Sequence, residues 1–131
     1  MNKNFIRKQK ILRLATVNSK GSPHIVPVWY SYINNKFYVG TNTRTTKARN
    51  IKHSPKVSFC IDKGVKSPEI VGIMGIGKAR LILENRRVKS IAKKILLRYF
   101  KSLKNRSAQC LLEDTNCVIE IMPKKMVSWK Y

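Results

Sequence analysis

Apolar residues in this chain come mostly in short runs that alternate with polar ones, separated by Asn, Gly, Pro and Lys. A period of two predicts strands rather than helices. Residues 11–17 give the first strand, ended by Asn18-Ser19-Lys20-Gly21, where a glycine can take a positive φ. The run at 23–33 is apolar on both alternating sets: Ile25, Pro27, Trp29 and Ile33 on one, Val26, Val28, Tyr30 and Tyr32 on the other. It predicts one strand covered on both sides, with an edge or bulge at Pro27, which has no N–H for a ladder. Asn34-Asn35 predicts a hairpin turn into a strand at 36–41. Val57, Phe59 and Ile61 alternate with Ser58, Cys60 and Asp62, a half-buried strand followed by a polar loop to Pro68. A long strand at 70–83 contains Gly72, Gly75 and Gly77, which mark bends or close backbone approach. No helix opens on these glycines, so they are not a dinucleotide fingerprint. Strands at 118–122 and 126–131, joined by a turn at Pro123-Lys124-Lys125, close the chain.

Helical spacing is confined to three places. Residues 3–10 are short and basic. Residues 47–53 form a second short helix, stopped by Ser54-Pro55. Residues 85–104 read as one long amphipathic helix, with Val88, Ile91, Ala92, Ile95, Leu96, Tyr99 and Leu103 as its apolar stripe and Lys and Arg around the rest. The order of elements predicts a mainly β domain spanning 1–131, a small barrel of about six to seven antiparallel strands with helices attached. A barrel this small leaves little room inside, so a ligand is expected on the outside, between two subunits.

Composition narrows the partners. With 28 Lys and Arg against 6 Asp and Glu, the formal charge is +22. Such a field attracts polyanions and says nothing about fold. It suits nucleic acid, an anionic surface or a phosphorylated cofactor, and lysine-rich composition by itself produces the same balance. Nucleic acid is expected only as a non-specific, salt-sensitive partner, since no helix-turn-helix, zinc-finger or RNP motif is present. Three cysteines without a C-x-x-C pair, Cys60, Cys110 and Cys117, are not a disulfide framework. Cys60 is expected to be an inert core thiol. Two histidines exclude an ordinary His/Cys zinc site, so no metal site is expected. No apolar run reaches membrane-spanning length, and a cytoplasmic protein is expected.

The chemically richest stretch is residues 40–50, Gly-Thr-Asn-Thr-Arg-Thr-Thr-Lys-Ala-Arg-Asn. It follows a strand and leads into a helix. Helix N-termini leave backbone N–H groups unpaired and carry partial positive charge, which suits a phosphate or carboxylate. Hydroxyls and cations in the same place add charge-assisted hydrogen bonds. The same residues also make a plain threonine cap on a solvated basic helix.

The order and spacing of several motifs resemble the pyridoxamine 5′-phosphate oxidase-like, flavin-binding split-barrel proteins. These are Leu14-Ala15-Thr16-Val17, Gly21-x-Pro23-His24-x-Val26-Pro27-Val28-Trp29, the loop from Thr41 to Asn50, Val57-Ser58-Phe59, Gly77-Lys78-Ala79 and Val127-Ser128-Trp129. The resemblance implies a homodimeric split β-barrel with flavin sites at the subunit interface. It implies a cofactor phosphate held by Thr41, Asn42, Thr45, Thr46, Lys47 and Asn50. It places the ring along Val26, Pro27, Val28 and Trp29, with Gly72 nearby. The implied activity is hydride transfer by FMN to or from a small molecule. Deazaflavin (F420)-dependent reductases are similar in strand pattern and length, so F420 is the alternative cofactor. A flavin-binding module without turnover is the non-enzymatic alternative. Typical oxidases of this family carry Arg-Lys where this chain has Thr46-Lys47, and have a further substrate-binding C-terminal extension; a vitamin B6 substrate is therefore not expected. No side chain stands out as a catalytic acid, base or nucleophile.

Overall fold

The computed structural model describes residues 2–131. Alternation decides its architecture. In β5 (Lys56–Lys63), Val57, Phe59 and Ile61 turn inward and are buried, while Lys56, Ser58 and Cys60 lie on the other face. The same rule governs β1 (Leu12–Val17), where Leu12, Leu14 and Thr16 are buried. The remaining strands are β2 (Pro23–Val28), β3 (Ser31–Ile33), β4 (Lys36–Thr41), β6 (Val71–Ile82) and β7 (Cys117–Lys130). All pairings are antiparallel, and the strands form a single sheet of order β2-β1-β5-β6-β7-β4-β3. The sheet curls into a half-barrel around Leu12, Leu14, Tyr30, Phe37, Phe59, Ile61, Ile73, Ile119 and Ile121. The protein is mainly β, with four helices among the described residues: α1 (Lys3–Lys8), α2 (Thr46–His53), α3 (Asn85–Leu96) and α4 (Arg106–Asp114).

Two turns follow from residue type. Asn34 and Asn35 both have positive φ, 51° and 63°, the pair of angles a two-residue hairpin needs to match strand twist. Gly21 takes φ 82° in a turn that Asn18 holds by accepting from the amides of Lys20 and Ser22.

Three sequence expectations need correction. The run at 23–33 is not one strand: it breaks at Trp29-Tyr30, where the Tyr30 amide donates to the Tyr99 hydroxyl and Arg98 donates to the Tyr30 carbonyl. Of its two apolar faces the chain itself covers one, and the other is left open on the outside, where a subunit or ligand is expected. Val28, Tyr30 and Tyr32 are buried, but Ile25 is 67% exposed and Pro27 and Trp29 lie open beside it. The turn expected at Pro123-Lys124-Lys125 is instead a bulge inside the continuous β7. Register passes from Ile76↔Lys125 to Gly77↔Pro123, so Lys124 is the extra residue. Finally, Cys60 is half-buried on the outer face of β5, and the fully buried thiol is Cys117.

The helix expected at 85–104 stops at Leu96. Its stripe residues Val88, Ala92, Ile95 and Leu96 are buried as anticipated, but the chain then turns. Arg98 leaves the helix to donate to the carbonyls of Arg7, Gln9 and Tyr30, and the Tyr99 hydroxyl donates to the Lys10 carbonyl. These four carbonyls belong to the last turn of α1, the connection after it and the β2–β3 break, and satisfying them outweighs two more turns of helix. A new helix, α4, begins at the Asn105 cap, whose side chain accepts from the Ala108 amide at 3.1 Å.

Helix α3 packs on the outer face of the sheet, over a second apolar cluster of Ile82, Val88 and Val118, with Tyr38 and Ile91 against it. Glu120 lies on the same face, 2% exposed. Arg80 Nε donates to one of its carboxylate oxygens at 2.6 Å and the Tyr38 hydroxyl to the other at 3.0 Å. Burial alone would raise the Glu120 pKa, but these two hydrogen bonds and the Arg80 charge outweigh it and hold the group below its ordinary value. Its folded pKa is depressed, so the stabilisation is present at neutral pH and lost as pH falls through that depressed value. Replacing Arg80 by Met should cost about 2–3 kcal/mol in denaturant unfolding at pH 7, the scale for removing a hydrogen bond to a buried charge. The difference between variant and wild type should shrink when the titration is repeated in acid.

Candidate functional site

Five of the residues expected at the anion cradle are brought together at the end of β4 and the start of α2. Thr41 is buried, and its hydroxyl lies 3.1 Å from that of Thr45. Thr45 caps α2: its Oγ1 donates to the Asn42 carbonyl at 2.8 Å and accepts from the Ala48 amide. Asn42 accepts from the Arg44 amide through Oδ1 and donates to the Asp114 carbonyl through Nδ2. Thr43 is held by Asn116, whose Oδ1 accepts from its amide at 2.9 Å. Thr41, Asn42 and Thr45 are thus engaged with the protein itself and give the loop its shape.

What the loop presents outward is smaller: the exposed side chain of Thr46, the side chain of Lys47, and the amides of those two residues, which have no acceptor among the described residues. Lys47 is the unusual member. It is half-buried, and burial lowers its pKa from the ordinary lysine value, opposed only by the nearby Cys117. The ion pairs among the described residues join Arg13 to Asp62, Arg44 to Asp114 and Arg80 to Glu120. Lys47 belongs to none of them. A desolvated ammonium without a counter-charge is costly unless an anion arrives. A phosphate fits this donor set: one ammonium, one hydroxyl and two amides at the positive end of a helix.

Asn50 does not face this cradle. It is 6% exposed, and its Nδ2 donates to Thr16 Oγ1 at 2.9 Å, tying α2 to β1. Val26, Pro27, Val28 and Trp29 lie on β2 and just beyond it. Because β2 is an edge strand paired only with β1, one side of its backbone is unpaired, which accommodates Pro27. Trp29 stacks on Tyr99 with ring centroids 4.2 Å apart and meets Phe100 edge-on at 5.7 Å. Trp29 and Gly40 line one small cavity of about 80 Å³ with Ala92, Ile95 and Leu111 of the two helices, so the end of β2 and the end of β4 are neighbours. Gly72 is not part of this grouping in one chain. It lies on β6, separated from β2 by β5 and β1, and the Trp129 indole covers it so closely that an added Cβ would sit 2.3 Å from a ring carbon.

Neither histidine joins the cradle. His24 pairs across the strands with Thr16, and its Nδ1 is buried without a partner; His53 is exposed at the end of α2. Among the described residues, no three His, Cys, Asp or Glu side chains gather in a way that could hold a metal ion. No helix among them is long and apolar enough to cross a membrane.

Sequence reasoning missed the far side of the loop. Asp114 and Asn116 fasten Asn42 and Thr43, and Cys117 stands beside Lys47. The Asn105 cap and the Asp-Thr-Asn end of α4 were the available signals.

Structural likeness agrees with this fold. A conserved hypothetical protein from Mycobacterium tuberculosis superposes with a TM-score of 0.85 at 22% identity, over 97% of this chain and 81% of that one. The heme storage protein HutZ from Vibrio cholerae gives a TM-score of 0.78 at 16% identity, over 98% and 90%. An F420 reductase gives 0.73 at 18% identity, over 95% and 94%. At these identities the likeness is one of fold. No curated protein is significantly similar in sequence. Residues 2–130 match the pyridoxamine 5′-phosphate oxidase family, and the chain belongs to that family.

Proposed function

We propose that the chain is a flavin-dependent oxidoreductase that holds FMN at a homodimer interface and acts on a small organic molecule. The observation that carries this reading is Lys47, a half-buried cation without a counter-charge beside unpaired amides at the start of α2. Thr46 and Lys47 would hold the phosphate, with Thr41, Asn42 and Thr45 shaping the loop and Asn50 anchoring the helix. The free edge of β2, from Val26 to Trp29, would offer backbone hydrogen bonds to the ring. FMN, when bound, supplies the hydride chemistry, and the chain's own residues bind it, orient it and exclude water.

Support for the homodimer comes from the outer face of the sheet. Ile25, Met74, Ile76 and Val127 are exposed there, and cross-strand register joins them: Ile25 faces Ala15, Ala15 faces Ser58, Ser58 faces Ile76, and Met74 faces Val127. An apolar face of this kind marks an interaction surface. Gly72 lies on that face of β6 beneath the Trp129 indole, so it would meet the ring from the second copy only through that side chain. F420 is the second reading of the cofactor, favoured by the charge of +22, since its oligoglutamate tail adds carboxylates that FMN lacks.

Titration of the protein with FMN and with F420, followed by absorbance, tests the reading: one of them should bind at micromolar concentration or below, and binding of neither would overturn it. Replacing Lys47 by Ala should weaken the bound cofactor by about 1.5–3 kcal/mol, roughly ten- to hundredfold. An unchanged affinity would remove the loop as the phosphate site. A bound phosphate favours the charged lysine and raises its pKa again. Affinity should therefore fall as pH rises through the lowered Lys47 pKa. Without cofactor, Lys47→Met should melt at a higher temperature than wild type, because it removes a desolvated charge. Ile76→Glu should give monomers in sedimentation experiments and reduce cofactor uptake; a persistent dimer would place the interface elsewhere.

A further inference from the structure

A cavity of about 670 Å³ runs along the flank of α2, from Thr43 in the loop before it to Leu83 beyond β6. It exists because β5 stops short. The last β5–β6 pair is Lys56↔Lys78, and the last bond on that side runs from the Ala79 amide to the Pro55 carbonyl at 2.8 Å. Beyond Ala79, β6 continues for three more residues with only β7 beside it. Backbone groups alternate in direction along an antiparallel strand, so Leu81 points the same way as Ala79, toward an edge with no strand on it.

The walls of this gap are of two kinds. Ile51, Pro55, Leu81 and Leu83 supply apolar surface, and Leu83 is exposed. Arg49, Lys52 and Arg80 supply cations. Arg49 and Lys52 are one turn apart on α2, and neither belongs to an ion pair among the described residues. Arg80 is different, because its Nε is already fixed by the buried Glu120, which Tyr38 holds from the other oxygen. That contact through Nε orients the guanidinium and leaves its outer nitrogens without a carboxylate. No acidic side chain lines the cavity. Its size and its mixture of apolar lining with a few fixed polar groups are those of small-ligand sites.

We propose that this cavity is a second ligand site, taking a small amphiphilic oxyanion: an alkyl or aryl body with one carboxylate or phosphate. The body lies on Ile51, Pro55, Leu81 and Leu83. The anion sits among Arg49, Lys52 and Arg80, with the Leu81 edge as a further donor. The site stands independently of the cofactor reading, since it uses neither Thr46 nor Lys47.

Calorimetric titration of the full chain, saturated with FMN or F420 if either binds, with decyl phosphate, decanoate, decanol and inorganic phosphate tests it below the micelle-forming range. The expected result is micromolar binding of decyl phosphate or decanoate with one site per chain. Decanol and inorganic phosphate should each bind at least tenfold more weakly. The ratio of the two anions identifies which headgroup the site prefers. Arg49→Gln with Lys52→Gln, two side chains without a structural partner, should weaken the anions about tenfold or more while leaving the melting temperature unchanged. Leu81→Ser should weaken them without altering the preference between headgroups. Equal binding of decanol, equal binding of inorganic phosphate, indifference to the double substitution, or no binding below millimolar would each overturn the proposal. So would displacement of the amphiphile by FMN or F420, or its loss in Lys47→Ala, because either assigns the ligand to the cradle at the head of α2. An acidic peptide that binds more tightly than the amphiphiles and adds a strand along β6 would overturn it as well.

Discussion

The ladder between β6 and β7 is the pairing on which the rest of the structure depends. It runs from Val71↔Lys130 to Ile82↔Val118, longer than any other pairing in the sheet, and joins β5 and β1 on one side to β4 and β3 on the other. Nothing else connects the two halves of the half-barrel within the sheet. The bulge at Lys124 lets the ladder bend without losing register at either end. Gly72 and Gly77 allow Trp129 and the Met122 carbonyl to approach β6 more closely than any side chain would permit. At its far end β7 brings Cys117 opposite Thr41, and this places Asn116 and Asp114 against the loop that precedes α2. The loop before α2 inherits its position from a strand pairing formed more than seventy residues later in the chain.

Much of this was legible in the sequence where a local rule was strong enough to decide. Period-two alternation located β1, β4 and β5, and paired asparagines in left-handed conformation gave the hairpin between β3 and β4. Four threonines and a lysine after a strand marked the head of α2. What local rules could not decide was any competition with distant groups. Tyr99 and Leu103 continue the helical stripe perfectly well, yet Arg98 and Tyr99 are drawn to carbonyls at the opposite end of the chain. Pro123-Lys124-Lys125 has the composition of a turn, and only the presence of β6 beside it makes it a bulge. Residue type also gave no means of telling which polar side chains face outward. Thr41, Asn42, Thr45 and Asn50 all suit a phosphate, and each also holds a bond within the fold: Thr41 and Thr45 to each other, Asn42 to Asp114 and Asn50 to Thr16.

The same distinction separates family from activity. The split-barrel frame follows from core alternation and ladder length, which leave little freedom, and many chemistries use it. The proposed activity would rest on a few groups that the frame leaves unsatisfied: the ammonium of Lys47, two amides, and the open edge of β2. Helix α2 divides two electropositive regions that differ in kind. Its head offers amides and one partly desolvated lysine, whereas its flank offers an arginine steered by a buried glutamate above apolar side chains.

The fastening of residues 42–45 has a kinetic meaning. Every one of these residues is already hydrogen-bonded, to α4, to Asn116, or within the loop. An arriving anion therefore meets a preorganised surface and need not offset the conformational entropy of ordering a loop. Association at such a surface is governed by long-range attraction and desolvation rather than by a slow closing motion. In the proposed site the threonines and asparagines that shape the loop would contribute speed, by having given up their freedom when the chain folded.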